Sequence, residues 1–142
     1  MFGLKNRLSK VQFAKSFVYR KYFCQKTPYE LIGGEKAVTL AVDNFYKKVL
    51  ADPNVNEFFK TTNMVAQRRH QTNFITVALG GPNNYDGLDM RAAHKRFKLN
   101  DSHFDTIKRL LGETLLELKV DPALVQAVAK KIETYRDDVL NR

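Results

Sequence analysis

Leu88-Asp89-Met90-Arg91-Ala92-Ala93-His94-Lys95-Arg96-Phe97 is a short helix-like stretch between a loop rich in Gly, Pro and Asn and a strongly amphipathic helix. His94 is its centre. The chain has three histidines and one cysteine, so a metal or redox cofactor has few side chains to choose from. A single His among Lys and Arg is ordinarily a solvated side chain. Whether His94 is more than that depends on what the rest of the chain builds around it.

The segments on either side read as helices. Apolar residues at Val38, Ala41, Val42, Phe45 and Val49 recur at helical spacing over Glu35–Leu50, with Tyr46 beside the stripe, and Asp52-Pro53 stops the run. A short turn then brings Phe58 and Phe59 together. Burying one such ring is worth about 1.5–3 kcal/mol. Asn63 is placed to cap a helix over Met64–Leu79. Its inward face holds Gln67, Gln71, Phe74, Ile75 and Ala78. Two glutamines one turn apart on an apolar face need a reason, because a buried amide without a partner costs about 1–3 kcal/mol. Either the stripe is rotated and the glutamines sit at its rim, or they project into a cavity. Tyr46 is a third polar tip for the same place, since a buried Tyr hydroxyl normally finds a partner.

Gly80-Gly81-Pro82 ends that helix. Asp89 caps the segment carrying His94. Asn100 or Asp101 opens a helix to about Lys119, with Phe104, Ile107, Leu110, Leu111, Thr114, Leu115 and Leu118 inward. Asp121-Pro122 opens a last helix with Val125, Val128, Ala129, Ile132, Tyr135 and Val139 inward. No segment alternates with period two. The expected fold is all-α, with long helices packed as crossed layers.

With 142 residues and 44% hydrophobic side chains, the chain is long enough for one domain with a real core. No run of 18 apolar residues spans a membrane. One cysteine, Cys24, excludes a disulfide framework and a multi-cysteine zinc site. The net charge of +9 is concentrated at the start. Residues 1–28 carry seven basic side chains and no acid, whereas residues 29–142 carry 17 basic against 15 acidic. The domain itself therefore has no electrostatic case for nucleic acid. The basic extension has the features of a mitochondrial transit peptide, with Arg20-Lys21-Tyr22 resembling a processing site. A basic tail in a cytoplasmic protein and a membrane-surface helix are the alternatives.

Catalytic motifs are missing. There is no G-x-S-x-G, no Walker A loop and no H-E-x-x-H. His103, in the first turn of its helix, reads as a capping or surface residue. What remains is one unpaired His, an apolar pocket and a polar cluster. One protein ligand suffices when the cofactor brings its own donors, as haem does. The competing reading is a helical interaction module without haem, whose working part is residues 1–28.

From about Tyr29 to its end, the sequence resembles a group I truncated haemoglobin. The likeness rests on Leu31-Ile32-Gly33-Gly34, Phe45-Tyr46-Lys47-Lys48-Val49-Leu50, Phe58-Phe59 and Thr62-Asn63-Met64. Leu79-Gly80-Gly81-Pro82, Met90 and His94 complete the series, in order. The resemblance implies a shortened globin, a two-over-two helical sandwich around haem b. It implies His94 as the proximal iron ligand and Phe59 as the ring packed on the haem face. Tyr46, Gln67 and Gln71 match the distal polar positions, and Met64, Phe74, Phe97, Leu99 and Phe104 the lining. The implied function is reversible oxygen binding. Nitric oxide and carbon monoxide are further ligands, and the alternative is nitric oxide dioxygenation with a separate reductase. Two positions depart from the pattern. Ile75 stands where some relatives carry an aromatic tunnel gate, and His70 where many carry a lysine able to reach a haem propionate. The basic extension is not a family feature either.

Overall fold

The computed structural model describes residues 26–85 and 87–142. The targeting segment read from residues 1–28 therefore lies outside the described residues except for its last three. The described elements are helical: α1 (Pro28–Ile32), α2 (Gly34–Ala51), a 3₁₀ turn (Asn56–Phe59), α3 (Met64–Ala78), α4 (Met90–His94), α5 (Asp101–Glu117), α6 (Pro122–Glu133) and α7 (Arg136–Leu140). No described helix is long and apolar enough to cross a membrane.

Most boundaries follow local chemistry. The side chain of Asn63 accepts from the amides of Val65 and Ala66, that of Asp89 from Ala92, and that of Asp121 from Ala123. At Asn100 the cap is reciprocal: Asn100 Oδ1 accepts from His103 N, and His103 Nδ1 accepts from Asn100 N. His103 is thus a capping residue, and its ring also meets Phe58 edge-on at 4.9 Å. Such caps satisfy amides that the first helical turn leaves without partners.

Two boundaries differ from the sequence reading. The chain is already helical from Pro28, where the sequence suggested the end of a tail. Thr27 and Glu30 form a capping box there, and Gly33 turns the chain into α2 at φ 113°, a value glycine adopts without strain. The last helix is broken in two. Thr134 Oγ1 donates to the Lys131 carbonyl at 2.6 Å, and the amides of Thr134 and Tyr135 reach back only three residues. This tightened turn swings Tyr135 onto Phe74, with ring centroids 5.4 Å apart.

Helices α2 and α3 pack against each other, as do α5 and α6, and α2 joins the two pairs through α5. The core lies between them, with Val38, Val42, Phe45, Tyr46, Val49 and Ile75 almost fully buried. The buried hydroxyl of Thr114 donates to the Leu110 carbonyl at 2.7 Å. Short helix α4 lies outside the two pairs, against α7.

The start of α1 is locked to the end of α3, since Tyr29 N donates to the Leu79 carbonyl at 2.9 Å. Gly81 makes this closure fit. A Cβ there would stand 2.7 Å from both Tyr29 Cγ and Thr76 Cγ2, neither free to swing away. Gly81→Ala is expected to destabilise the fold by about 1–3 kcal/mol, the cost of overpacking a tight site. A urea unfolding midpoint unchanged by the substitution would contradict this packing.

Candidate haem site

His94 ends α4 and is half-buried. Its Nδ1 stands 2.7 Å from the Met90 carbonyl, one helical turn back. A carbonyl only accepts, so Nδ1 carries the proton and Nε2 keeps a free lone pair. A metal-binding imidazole needs this arrangement: one nitrogen spent on a carbonyl, the other basic and oriented.

The polar residues expected on the distal side come from α2 and α3. Tyr46 is 2% exposed, and its Oη accepts a hydrogen bond from Gln67 Nε2 at 2.9 Å. Burial pushes the phenol up to about 12, while the Gln67 hydrogen bond and the Arg68 charge pull the other way. Tyr46 therefore keeps its proton at neutral pH. Gln67 occupies its lone pair, so that proton is free to be donated elsewhere. Gln71 follows one turn later, half-buried, and its side chain makes no hydrogen bond among the described residues. Neither glutamine is fully buried, and Tyr46 explains why the first of them faces inward.

The apolar side chains expected to line the site are placed as follows. Phe59 meets the Tyr46 ring edge-on with centroids 5.7 Å apart. Phe97 meets Phe58 in the same way at 5.8 Å, and the Arg96 guanidinium lies 4.7 Å over its outer face. Phe74 touches both Tyr85 and Tyr135. Met64, Phe74 and Phe59 pack against the core cluster yet stay half-exposed, as does Leu99 beyond it. Phe104 differs from these: it is 7% exposed and covered by the Arg136 guanidinium at 4.4 Å. Ile75 belongs to the core and His70 is half-buried on α3.

Sequence reading missed one contact beside His94. Arg91, on the His94 helix, donates to Asp138 Oδ1 at 3.0 Å and to the Arg142 carbonyl at 2.9 Å. The partners are 47 and 51 residues away. No local pattern signals such a pairing.

Among the described residues no three His, Cys, Asp or Glu side chains converge to hold a metal ion. A metal here must bring most of its own donors. The oriented His94 nitrogen, the half-exposed aromatic lining and the buried Tyr46–Gln67 pair fit haem, which needs one axial nitrogen and an apolar cradle.

The comparisons agree. A family model for bacterial-like globins matches residues 27–141. The chain belongs to the group 1 truncated haemoglobins. The group 1 truncated haemoglobin of Tetrahymena pyriformis is 50% identical over 117 residues, which cover 82% of this chain and 97% of that one. The GlbN protein of Synechocystis sp. is 43% identical over 122 residues, covering 82% and 98%. The Fe(III) crystal structure of the Tetrahymena protein superposes with a TM-score of 0.79, covering 81% of this chain and 98% of that chain. The 2/2 haemoglobin of Synechococcus sp. PCC 7002, in its cyanomet state with covalently attached haem, is 46% identical. It has a TM-score of 0.78 and covers 82% and 100%. Other solved forms of the Tetrahymena protein carry substitutions at one tyrosine and at two glutamines. The first glutamine follows the tyrosine by 21 positions and the second by four more. As a truncated haemoglobin with the two-over-two fold, this chain is a haem protein and its metal is iron.

Proposed function

We propose that this truncated haemoglobin binds oxygen reversibly, with His94 as the iron ligand and Tyr46, Gln67 and Gln71 as the distal donors. The observation that carries this reading is the 2.9 Å hydrogen bond from Gln67 to the buried Tyr46 hydroxyl. When bound, haem would supply a ferrous iron able to take up a diatomic gas. The rest is the work of the chain. Met90 fixes the His94 tautomer so that Nε2 is the nitrogen presented. Gln67 directs its amide at Tyr46, which leaves the phenolic proton to point at a ligand gaining negative charge. Gln71 adds an amide that nothing else in the described structure engages. The spacings of 21 and four residues seen in the Tetrahymena protein recur here between Tyr46, Gln67 and Gln71, which supports treating them as a unit.

Each donated bond in a dry pocket is worth about 1–3 kcal/mol, so release is slow. Slow release suits retention better than rapid delivery. It also favours a second reading, nitric oxide dioxygenation. In that reaction oxygen and nitric oxide would combine to nitrate, with a separate reductase supplying one electron for each nitric oxide consumed. Lining side chains such as Phe59 and Phe74 then exclude water from the reacting gases.

The deciding experiment uses the full chain with haem. Its absorption spectrum is recorded reduced, with and without carbon monoxide, and nitric oxide consumption is then followed under a reductant. A Soret band that shifts with carbon monoxide is expected. Its absence would overturn both readings. Sustained nitric oxide turnover would make the dioxygenase reading the main one.

A further inference from the structure

The helix that carries the iron ligand has only five residues, Met90–His94. Isolated helices shorter than about 12–15 residues are marginal in water, so α4 depends on tertiary contacts. One support is local, the Asp89 cap on Ala92 N at 2.9 Å. The other comes from α7 and the residues after it. A single guanidinium nitrogen of Arg91, Nη2, reaches the Asp138 carboxylate at 3.0 Å and the Arg142 carbonyl at 2.9 Å. Arg91 adjoins Met90, whose carbonyl holds His94 Nδ1. The peptide that orients the imidazole is therefore next to the residue that ties the helix down.

The far side of this tie is itself fixed. The Arg142 guanidinium meets both oxygens of Asp101, at 3.1 and 3.2 Å. Arg136 meets Asp101 at 2.8 Å and also bonds to Asp105 and Glu133. Asp101 opens α5, so α7 is anchored to the main helical layers. An isolated exposed ion pair contributes little, about 0–1 kcal/mol. Arg91–Asp138 is half-exposed and would be such a pair if it stood alone. It does not stand alone: the same nitrogen also donates to a backbone carbonyl, that of Arg142, whose side chain is held by Asp101.

We propose that Arg91 is a positioning residue for the iron ligand: its hold on Asp138 and the Arg142 carbonyl sets the tilt of α4 and, through Met90, the orientation of His94 toward haem. The proposal rests on His94 being that ligand. It assigns a role to the α7 region, which touches neither Tyr46 nor Gln67 in the contacts described.

The test uses full-length haem protein, reduced and without gas. Resonance Raman scattering reports the iron–histidine stretch, and transfer to an excess of apomyoglobin reports the haem dissociation rate. Arg91→Ala is expected to shift or broaden the stretch and to speed haem loss about fivefold, the equivalent of about 1 kcal/mol. Asp138→Ala, which removes the carboxylate acceptor and leaves the Arg142 carbonyl and α4 itself intact, is expected to act in the same direction. Arg91→Lys keeps the charge on a compact, more strongly hydrated ammonium, and is expected to fall between wild type and Arg91→Ala. A merely structural role would lower the unfolding midpoint and leave the stretch where it is. An unchanged stretch and haem-loss rate in both alanine variants would overturn the proposal. A missing iron–histidine stretch in the wild-type protein would overturn it too, by removing the His94 assignment.

Discussion

In His94→Ala protein mixed with haem and reduced, the sharp Soret band that shifts with carbon monoxide is expected to be lost, and haem affinity to fall about a hundredfold or more. Removing an outer partner of a metal ligand typically costs 10–100-fold, and removing the ligand itself costs at least that. No other histidine can take over. His103 has its Nδ1 committed to the Asn100 amide and its ring against Phe58. His70 sits on α3, the helix that carries Gln67 and Gln71, not on α4. The substitution is mild for the backbone, because alanine is the best helix former and α4 keeps its Asp89 cap. Loss of colour would therefore reflect loss of the nitrogen, not of the fold. Added imidazole provides the control: it can enter the space left by the side chain, and a return of the band would prove the point. A full-strength band in the variant without imidazole would remove His94 from the site.

Much of this architecture is written in short-range chemistry. Asn63, Asp89, Asn100 and Asp121 are small polar residues ahead of apolar-periodic runs, and each caps the helix expected of it. The stripe Val38, Ala41, Val42, Phe45 and Val49 is buried as its spacing demands. Gln67 was legible for the opposite reason, as an amide where periodicity called for an apolar side chain, and Tyr46 is the partner it required. His94 was less legible. Nothing in Ala93-His94-Lys95 separates an iron ligand from a solvated histidine; the proposal of His94 as ligand draws on the resemblance and on the Met90 carbonyl that orients its ring. Helix α1 was missed because five residues hold too little periodicity to read, and its stability comes from Thr27, Glu30 and the Leu79 carbonyl. The break at Thr134 was hidden because Ile132, Tyr135 and Val139 continue the helical spacing across it. The Arg91 tie was beyond reach, since its two ends meet only when the whole fold has formed.

Tyr46→Phe is expected to speed oxygen dissociation about tenfold or more while leaving the fold in place. The phenylalanine keeps the edge-on contacts that the Tyr46 ring makes with Phe45 at 4.9 Å and with Phe59 at 5.7 Å. It removes only one oxygen and its proton. Two effects then act in opposite directions. A ligand gaining negative charge loses the phenolic donor, at a cost of about 1–3 kcal/mol, and 1.4 kcal/mol is tenfold in rate or affinity. The Gln67 amide, released from Tyr46, can turn and recover part of that loss. The first effect is expected to win, because Gln67 is half-buried and its amide can turn to water as readily as to the ligand. Carbon monoxide serves as the internal control. It gains far less negative charge than oxygen, so its dissociation should change much less, which separates a lost hydrogen bond from a distorted pocket. The pH dependence has a definite sign. Because burial raises the Tyr46 phenol to about 12 from an ordinary value of 10.0, the folded protein holds this proton more tightly than the unfolded chain. That contribution to stability is complete below pH 10 and is lost as pH rises through about 12. Oxygen release should therefore show no inflection from Tyr46 between pH 6 and pH 9, where the group stays a donor throughout. Stopped-flow measurement of oxygen release in wild type and variant decides the matter. Equal rates would place the phenolic proton away from the gas, and Gln71, the amide with no other engagement in the described structure, would become the donor to substitute next.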